Sequence, residues 1–158
     1  MRIIKFTVYG DPKPQQRHRH FRRGSFTQTY DPSKKDKTDF TIVLLEAKHK
    51  FGISDPIEGA IEMKLAFYFD RPKSHYRTGK YSKELKPNAP SAHIKKPDGD
   101  NLVKFVLDSM NKFLIKDDSQ VYKLTYEKFY VDVNSLFSSE DSRTEIEINF
   151  NYNEEEQI

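Results

Sequence analysis

Apolar and polar residues alternate along four segments of the chain, and this two-residue period predicts β-strands. The four segments are Arg2–Tyr9, 58–70, 121–133 and Arg143–Phe150. The alternation is clearest in 58–70, where five apolar residues fall on one face. We therefore expect a sheet built from these strands.

Two further segments repeat apolar residues every three or four positions, which predicts helices. The first is Lys34–Phe51, and Gly52 stands directly after it, where a C-terminal glycine cap is expected. The second covers 99–114. The apolar stripes consist of Phe40, Val43, Leu44 and Ala47 in the first helix and of Leu102, Phe105, Val106, Met110 and Phe113 in the second.

The remaining stretches, 10–33 and 71–97, show no periodicity and are rich in proline, so we expect loops. Segment 71–97 is long for a connection inside a small domain, and such loops are more often functional than not. The order of elements is strand, helix, strand, helix, strand, strand. We expect one small α+β domain over residues 1–153, with a mixed β-sheet and two main helices, and an acidic tail over 154–158.

Composition and charge narrow the class of protein. The chain has 158 residues, of which 32% are charged, and no cysteine, which excludes thiol catalysis, disulfides and cysteine-ligated zinc. No apolar run approaches the roughly 20 residues that span a bilayer, and the N-terminus has no signal-peptide pattern, so we expect a cytoplasmic protein without a membrane partner. Residues 1–50 carry 12 basic against 5 acidic residues, and residues 127–158 carry 2 against 9. The basic part suggests a polyanionic partner. On composition alone, ordinary solvent-exposed charge explains this asymmetry equally well.

Two pairs of aspartates flank the second predicted helix. Asp98 and Asp100 precede it, with Gly99 allowing a tight turn between them, and Asp117 and Asp118 follow it. Three carboxylates around one point would bind Mg²⁺ or Mn²⁺ through oxygen. A helix of about 15 residues separates its ends by roughly 22 Å. Within one molecule the pairs can meet only if the helix is shorter or bent, or if the following segment folds back along it.

Simpler interpretations compete with a metal site. An aspartate at position 98 or 100 is most often a helix N-cap. Lys104 lies four residues after Asp100 and four before Asp108, and this spacing alone favours a surface charge ladder. The D-x-D pattern does not continue as an EF-hand calcium loop, and the five histidines lack zinc-site spacing. The residues themselves therefore indicate an oxygen-rich divalent-metal site but not its substrate.

The sequence of this region resembles a family signature. The run K-P-D-G-D-N-L-V-K-F-V-L-D-S-M, followed by D-D-S-Q-V, is similar to that of the RusA family of Holliday-junction resolvases. The family pattern is an acid, any residue, Asp-Asn-Leu, a lysine two residues on and a later Asp. After a spacer it continues with Asp-Asp, a small residue, Gln and an aliphatic residue. Every one of these positions is filled here, and the flanking strands and basic loop resemble the family more weakly.

The resemblance implies a role for each matching residue. Asp98, Asp100 and Asp118 correspond to the essential metal-binding carboxylates. Lys104 corresponds to a catalytic lysine, contrary to the argument from spacing. Further matching positions, with less direct roles, are Asn101, which would orient a ligand, Asp117 and Asp108.

The resemblance also implies an activity. Family members are homodimers that require Mg²⁺ or Mn²⁺, need no organic cofactor and make paired nicks across a four-way DNA junction. We therefore expect four-way branched DNA and a second copy of the chain as partners, and a bacterial or phage origin. Dimerisation would also allow the two aspartate pairs to be shared between chains, whereas the resemblance implies a site within each subunit. The alternatives are a nuclease of broader range, such as a flap nuclease, and a DNA-binding protein without catalysis.

Basic residues near the motif are candidates for DNA contact, because three carboxylates repel DNA until a metal binds. The candidates are Lys13, Arg17, Arg19, Arg22, Arg23, Lys95 and Lys96. Candidates for stacking on unpaired bases are Tyr76, Arg77, Lys80 and Tyr81 in the long loop. His93 is expected to be an ordinary loop histidine.

Overall fold

The computed structural model describes residues 1–132 and 141–151, which fold around a four-stranded sheet. The sheet contains β1 (Arg2–Tyr9), β4 (Ile61–Phe69), β5 (Val121–Tyr130) and β6 (Arg143–Phe150). Two shorter strands, β2 (Arg19–Arg23) and β3 (Phe26–Tyr30), form a separate hairpin. The helices are α1 (Lys34–Phe51) and α2 (Gly99–Met110), and short 3-10 turns occupy Lys73–His75, Gly79–Tyr81 and Asp118–Gln120.

The strand order is β1-β6-β4-β5, and the sheet is mixed because β4 and β5 run parallel while the other pairs are antiparallel. The connection between the parallel strands passes through α2, which therefore runs back along the sheet in the opposite direction. The first turn of α2 lies beside the later part of β5, where the ring of Tyr126 covers Gly99. Beyond its last turn, the Leu114 carbonyl accepts a 2.9 Å hydrogen bond from the Ile57 amide, which precedes β4. The helix thus connects opposite ends of the sheet.

One face of the sheet carries the core. Every second residue of β4 and of β6 is buried there against the apolar stripes of α1 and α2. Phe40 of α1 meets Phe105 of α2 edge to face, with ring centroids 5.7 Å apart. Each large side chain buried in this way contributes about 1.5–3 kcal/mol to stability. No helix in the described part of the chain is long and apolar enough to cross a membrane.

The predicted α+β class, the mixed sheet and the two main helices are confirmed. The structure has the predicted bounds for β1, α1 and β6, and Gly52 caps α1 with a left-handed φ of 64°. Strands β4 and β5 are shorter than predicted. The alternation of apolar residues is therefore a reliable guide to which segments form strands, and a weaker guide to their ends.

Helix α2 ends at Met110, four residues before the predicted end. Lys112 adopts a left-handed φ of 62°, which turns the chain out of the helix. Ile115 then forms a β-bridge with Ile57, and Leu114 and Ile115 are fully buried. The apolar residues that follow Met110 thus continue the core, although their backbone is no longer helical.

The predicted loop over 10–33 is wrong in its second half, where β2 and β3 pair as an antiparallel hairpin. All ten residues of these strands are exposed, so no alternation of burial marks them. The two-residue turn Gly24-Ser25, in which Gly24 has φ 63°, is the signal that could have identified the hairpin. The order of elements therefore gains a hairpin ahead of α1. The predicted tail over 154–158 lies outside the described residues.

Candidate active site and DNA-contact surface

Asp98 and Asp100 lie at the N-terminal end of α2. Asp98 is the N-cap residue by backbone position, but its carboxylate accepts no capping hydrogen bond. Instead, the ammonium of Lys96 lies 2.6 Å from Asp98 Oδ2, and both side chains are largely solvent-exposed. Asp100 is exposed and forms no ion pair with a described residue. The simple N-cap interpretation is therefore not realised, and both carboxylates remain accessible to a ligand.

Gly99 separates these aspartates and lies under the ring of Tyr126. A Cβ at position 99 would overlap the Tyr126 ring, so glycine is required while the ring keeps this position. The ring projects from β5 towards α2 and is 46% exposed. Tyr126 thus forms one wall beside the two aspartates, a role that the sequence did not indicate.

Lys128 is a second residue beside the acids that sequence reasoning missed. Its ammonium donates a 2.7 Å hydrogen bond to the carbonyl of Lys95. Burial lowers the pKa of Lys128, the carboxylate of Asp98 raises it, and the charge of Lys96 lowers it, with a net decrease. Two lysine ammonium groups, those of Lys96 and Lys128, therefore lie near Asp98, and of these only Lys96 was predicted.

Lys104 does not take part in the charge ladder that its spacing suggested. It is exposed on α2 and forms no salt bridge with a described carboxylate. Asp108 instead lies 3.8 Å from the ammonium of Lys37 in α1, which is 2.8 Å from Asp31. Asp108 thus belongs to a contact between the two helices, and Lys104 is free to meet a ligand.

The two aspartates of the second pair differ in their surroundings: one caps a turn, and the other is exposed to solvent. Asp117 caps the 3-10 turn Asp118–Gln120, because its carboxylate accepts a 2.8 Å hydrogen bond from the Ser119 amide while the Gln120 side chain accepts one from the Asp117 amide. The hydrogen bonds from Ser119 lower the pKa of the Asp117 carboxyl. Asp118 is exposed and pairs with no described cation. Of the two, Asp118 is the carboxylate that is available to a metal.

A single chain keeps the two aspartate pairs apart. α2 has 12 residues and is therefore about 18 Å long, with Asp98 and Asp100 at its start and Asp118 beyond its end. Within residues 1–132 and 141–151, no three side chains of His, Cys, Asp or Glu lie close enough together to hold a metal ion. The three predicted metal ligands are thus all accessible but do not converge in one chain.

The predicted DNA-contacting residues occupy an exposed basic surface. All seven are exposed: Lys13, Arg17, Arg19, Arg22, Arg23, Lys95 and Lys96. Three of the arginines lie on the hairpin, where Phe21 packs edge to face on Tyr30 with ring centroids 6.0 Å apart. A two-stranded hairpin without a buried face is only marginally stable by itself. Its exposed basic and aromatic side chains fit contact with a polyanion.

The root of the hairpin is tied to the start of α2. The Gln15 amide donates a 2.9 Å hydrogen bond to the Asn101 carbonyl. Asp31, which closes the hairpin, accepts hydrogen bonds from the Gln15 side chain at 3.1 Å, the Ser33 amide at 2.9 Å and Lys37 at 2.8 Å. Burial raises the pKa of the Asp31 carboxyl, but these hydrogen bonds outweigh it and lower the pKa overall. The basic hairpin therefore keeps a defined position relative to Asp100.

The long loop 71–97 is held by Arg71 and His93. Arg71 donates to the carbonyls of Val131 at 2.8 Å and Pro90 at 2.6 Å. His93 is buried and stacks on Phe69 with ring centroids 3.9 Å apart. Burial and the nearby lysines lower its pKa, so it is neutral near pH 7. His93 is thus a packing residue, more deeply buried than expected of an ordinary loop histidine.

The four proposed stacking residues form a compact turn within this loop. The Arg77 guanidinium lies 4.0 Å from the centroid of the Tyr81 ring, and Lys80 lies 4.9 Å from it. Arg77 also pairs with Glu84 at 2.7 Å. One face of Tyr81 is therefore already occupied by a cation, while Tyr76 is half-buried.

Comparison with known proteins identifies the family. The family model for endodeoxyribonuclease RusA matches residues 9–149, which include both helices, both aspartate pairs and the sheet except for most of β1 and the last residue of β6. The uncharacterized protein YqaN of Bacillus subtilis (strain 168) is 36% identical over 148 residues, which are 94% of this chain and 96% of that protein. The chain therefore belongs to the RusA family of endodeoxyribonucleases.

Proposed function

We propose that this protein is a Mg²⁺-dependent endodeoxyribonuclease that resolves Holliday junctions by paired nicks during DNA recombination and repair in the cytoplasm. Mn²⁺ is the alternative cation. The observation that supports this most strongly is the accessible carboxylate pair of Asp98 and Asp100 at the start of α2, beside Lys96 and Lys128, in a chain of this family. Acidic residues bind the cation, and the surrounding bases hold the phosphates.

The active form is a homodimer in which each metal site takes ligands from both chains. Asp98 and Asp100 of one chain supply two carboxylates, and Asp118 of the partner subunit supplies the third. This arrangement resolves the separation of about 18 Å along α2 without unfolding the helix. A two-fold symmetric dimer would also present two equivalent sites to a four-way junction, as paired nicking requires.

The side chains of the chain itself position the DNA and stabilise charge. A bound divalent cation supplies Lewis-acid stabilisation of the phosphate and lowers the pKa of a water nucleophile. Lys104, which forms no ion pair with a described residue, contacts the scissile phosphate and stabilises the charge that develops on it. Asn101, next to Asp100, orients a ligand from its half-buried position. The hairpin arginines and Lys95, Lys96 and Lys128 hold the flanking phosphates.

A cleavage assay with matched substrates tests this function. A synthetic four-way junction, a 5′ flap and a linear duplex of the same sequence are incubated with the protein, with and without Mg²⁺. Selective, Mg²⁺-dependent cutting of the junction in two symmetric strands is expected, and Asp98→Asn should abolish it. Equal cutting of the flap would indicate a broader nuclease, and junction binding without any cutting would indicate a DNA-binding protein.

A further inference from the structure

The chain reaches Asp98 through residues 91–97, which we call the approach segment. Of residues 71–98, all of which the structure describes, only His93 is buried. All the other residues of the approach segment are exposed or half-buried. The position of the segment that leads into the acid pair therefore depends on one buried ring.

The ring of His93 is held by aromatic residues from two strands. It stacks on Phe69 at the end of β4, with ring centroids 3.9 Å apart and an angle of 19° between the planes. It also lies against Tyr130 at the end of β5, with centroids 4.8 Å apart. Because both of these rings belong to the core, the histidine ties the approach segment to the rigid part of the sheet.

Backbone hydrogen bonds beside this ring align the approach segment with β5. The His93 amide donates to the Lys128 carbonyl at 2.9 Å, and the Lys128 ammonium donates to the Lys95 carbonyl at 2.7 Å. Ala92 forms an antiparallel β-bridge with Phe129. The segment is thus a short addition to the edge of the sheet. Hydrogen bonds at such an exposed edge open readily unless a buried side chain anchors them.

The orientation of Asp98 depends on the approach segment more than that of Asp100 does. Asp98 has an extended backbone, with φ −68° and ψ 142°, and its carboxylate accepts no capping hydrogen bond, so the segment before it determines its orientation. Asp100 lies within the first turn of α2, where the helix determines the direction of the side chain. Displacement of the approach segment would therefore move Asp98 relative to Asp100.

We propose that His93 is a positioning residue for metal binding: its buried ring fixes the approach segment on β5 and so holds Asp98 in the orientation in which it binds the divalent cation together with Asp100. The proposal rests on the proposed function and adds to it a residue outside the aspartate motif. Groups that orient the ligands of a metal typically change its affinity or the activity by about 10–100-fold when they are removed.

His93 fills this place as a neutral ring. Its Nδ1 atom is buried and has no hydrogen-bond partner among the described residues. A proton on the ring would place an unpaired charge in a buried site, which is costly, so acid conditions favour release of the ring. The titratable and charged groups around it and around the adjoining ring of Tyr130 are Lys128, Lys95, Arg71 and His75, and none of these is acidic.

A Mg²⁺ titration of single-turnover junction cleavage tests the proposal. At pH 7.5, His93→Ala should raise the Mg²⁺ concentration for half-maximal cleavage about ten-fold. His93→Phe keeps the stacking on Phe69 and should retain the natural value. His75→Ala is the matched control, because it removes a half-buried histidine from the same Tyr130 ring and should leave the titration unchanged. Junction binding without metal should be the same in all four proteins.

The pH dependence of this titration distinguishes positioning from packing alone. Between pH 7.5 and 5.5, the natural chain should need more Mg²⁺ as the pH falls below 6.5, because His93 then begins to bind a proton. His93→Phe should show a nearly constant requirement. Should His93→Ala fail to fold, Phe69→Leu removes the stacking face and should raise the Mg²⁺ requirement in the same direction, by a smaller factor.

Hydrogen exchange measured by mass spectrometry gives a readout that does not involve DNA. Peptides from residues 89–97 should exchange faster in His93→Ala than in the natural chain, while peptides from α2 keep their protection. The same Mg²⁺ requirement in His93→Ala and His75→Ala, or unchanged exchange in residues 89–97, would overturn the proposal. Absence of junction cleavage by the natural chain would instead overturn the proposed nuclease function, and the exchange measurement would still decide whether His93 anchors the segment.

Discussion

The ring of Tyr126 lies against the Cα of Gly99, the residue that separates Asp98 from Asp100. This packing joins the edge strand β5 to the first turn of α2. It explains why the residue between the two acids has no side chain, and it makes the geometry of the acid pair depend on the position of β5. The candidate site is therefore coupled to the edge of the sheet through one aromatic ring.

Gly99→Ala should displace the Tyr126 ring. Because the ring is partly exposed and can rotate away, we expect a decrease of only about 1 kcal/mol in the free energy of unfolding, at the lower end of overpacking effects. Urea denaturation measures this decrease. The control is the same substitution in a Tyr126→Ala background, where it should cost much less. An equal decrease in both backgrounds would show that the ring does not constrain position 99.

The adjacent aspartates 117 and 118 offer a matched pair of substitutions. Asp118→Asn should lower single-turnover junction cleavage by about 10²–10³-fold, since the metal loses a charged ligand worth several kcal/mol. Asp117→Asn should retain most of the activity, because asparagine still accepts the capping hydrogen bond from Ser119. Junction binding, measured by gel shift without metal, should persist in both. An equal fall in activity in both variants would contradict the distinction between the two aspartates.

Mixing two inactive variants distinguishes a shared site from one within each chain. A dimer of one Asp98→Asn chain and one Asp118→Asn chain has one site with all three aspartates intact if the site is shared between subunits. Random reassociation after refolding should therefore restore about a quarter of the sites. Nicked junctions should appear in the mixture and in neither variant alone. No recovery, despite heterodimers shown by mass spectrometry, would place all three ligands within one chain.

The hairpin arginines should contribute to affinity through phosphates. Each interaction with a phosphate that is removed lowers the slope of log K against log salt concentration by about 0.9. The double substitution Arg22→Ala, Arg23→Ala should therefore weaken junction binding and reduce this slope, as measured by fluorescence anisotropy from low to moderate salt. Lys50→Ala at the end of α1 is the control and should leave the slope unchanged. An unchanged slope in the arginine variant would exclude the hairpin from the DNA-binding surface.

Stability should fall as the pH drops below neutrality because of His93. Burial, then the charges of Lys128 and Lys95, lower its pKa below the ordinary 6.5. The unfolded chain therefore binds more protons between the two pKa values, so the stabilisation present above pH 6.5 is lost as the pH falls through this range. The pKa of His75 is lowered too, by burial and Arg71, and acts in the same direction.

The double variant His75→Phe, His93→Phe isolates this effect. It keeps aromatic packing on Phe69 and Tyr130 while removing both titrating rings. The pH dependence of the denaturation midpoint between pH 7.5 and 5 should be weaker in this variant than in the natural chain. The same slope in both proteins would assign the pH dependence to other groups.

The pattern of apolar and polar residues was sufficient to predict those parts of the protein whose structure depends on residues close in sequence. The alternation in Arg2–Tyr9 and Arg143–Phe150 and the period of Lys34–Phe51 predicted those elements with their observed ends. The aspartates on either side of Gly99 indicated oxygen ligands for a divalent metal. The motif as a whole indicated the family. These features depend on interactions between residues close in sequence, or on residue chemistry alone.

Tertiary structure decided the features that depend on where distant segments lie. The pattern of apolar residues did not predict the hairpin, because the hairpin buries neither face. Lys128 and Tyr126 lie beside the site only because β5 runs parallel to β4 and next to α2. The parallel connection also forces α2 to span the sheet, which separates Asp118 from Asp98 within one chain. The sequence by itself thus determined which side chains carry the chemistry. Their separation in space was decided by the direction of a strand, which no local pattern encodes.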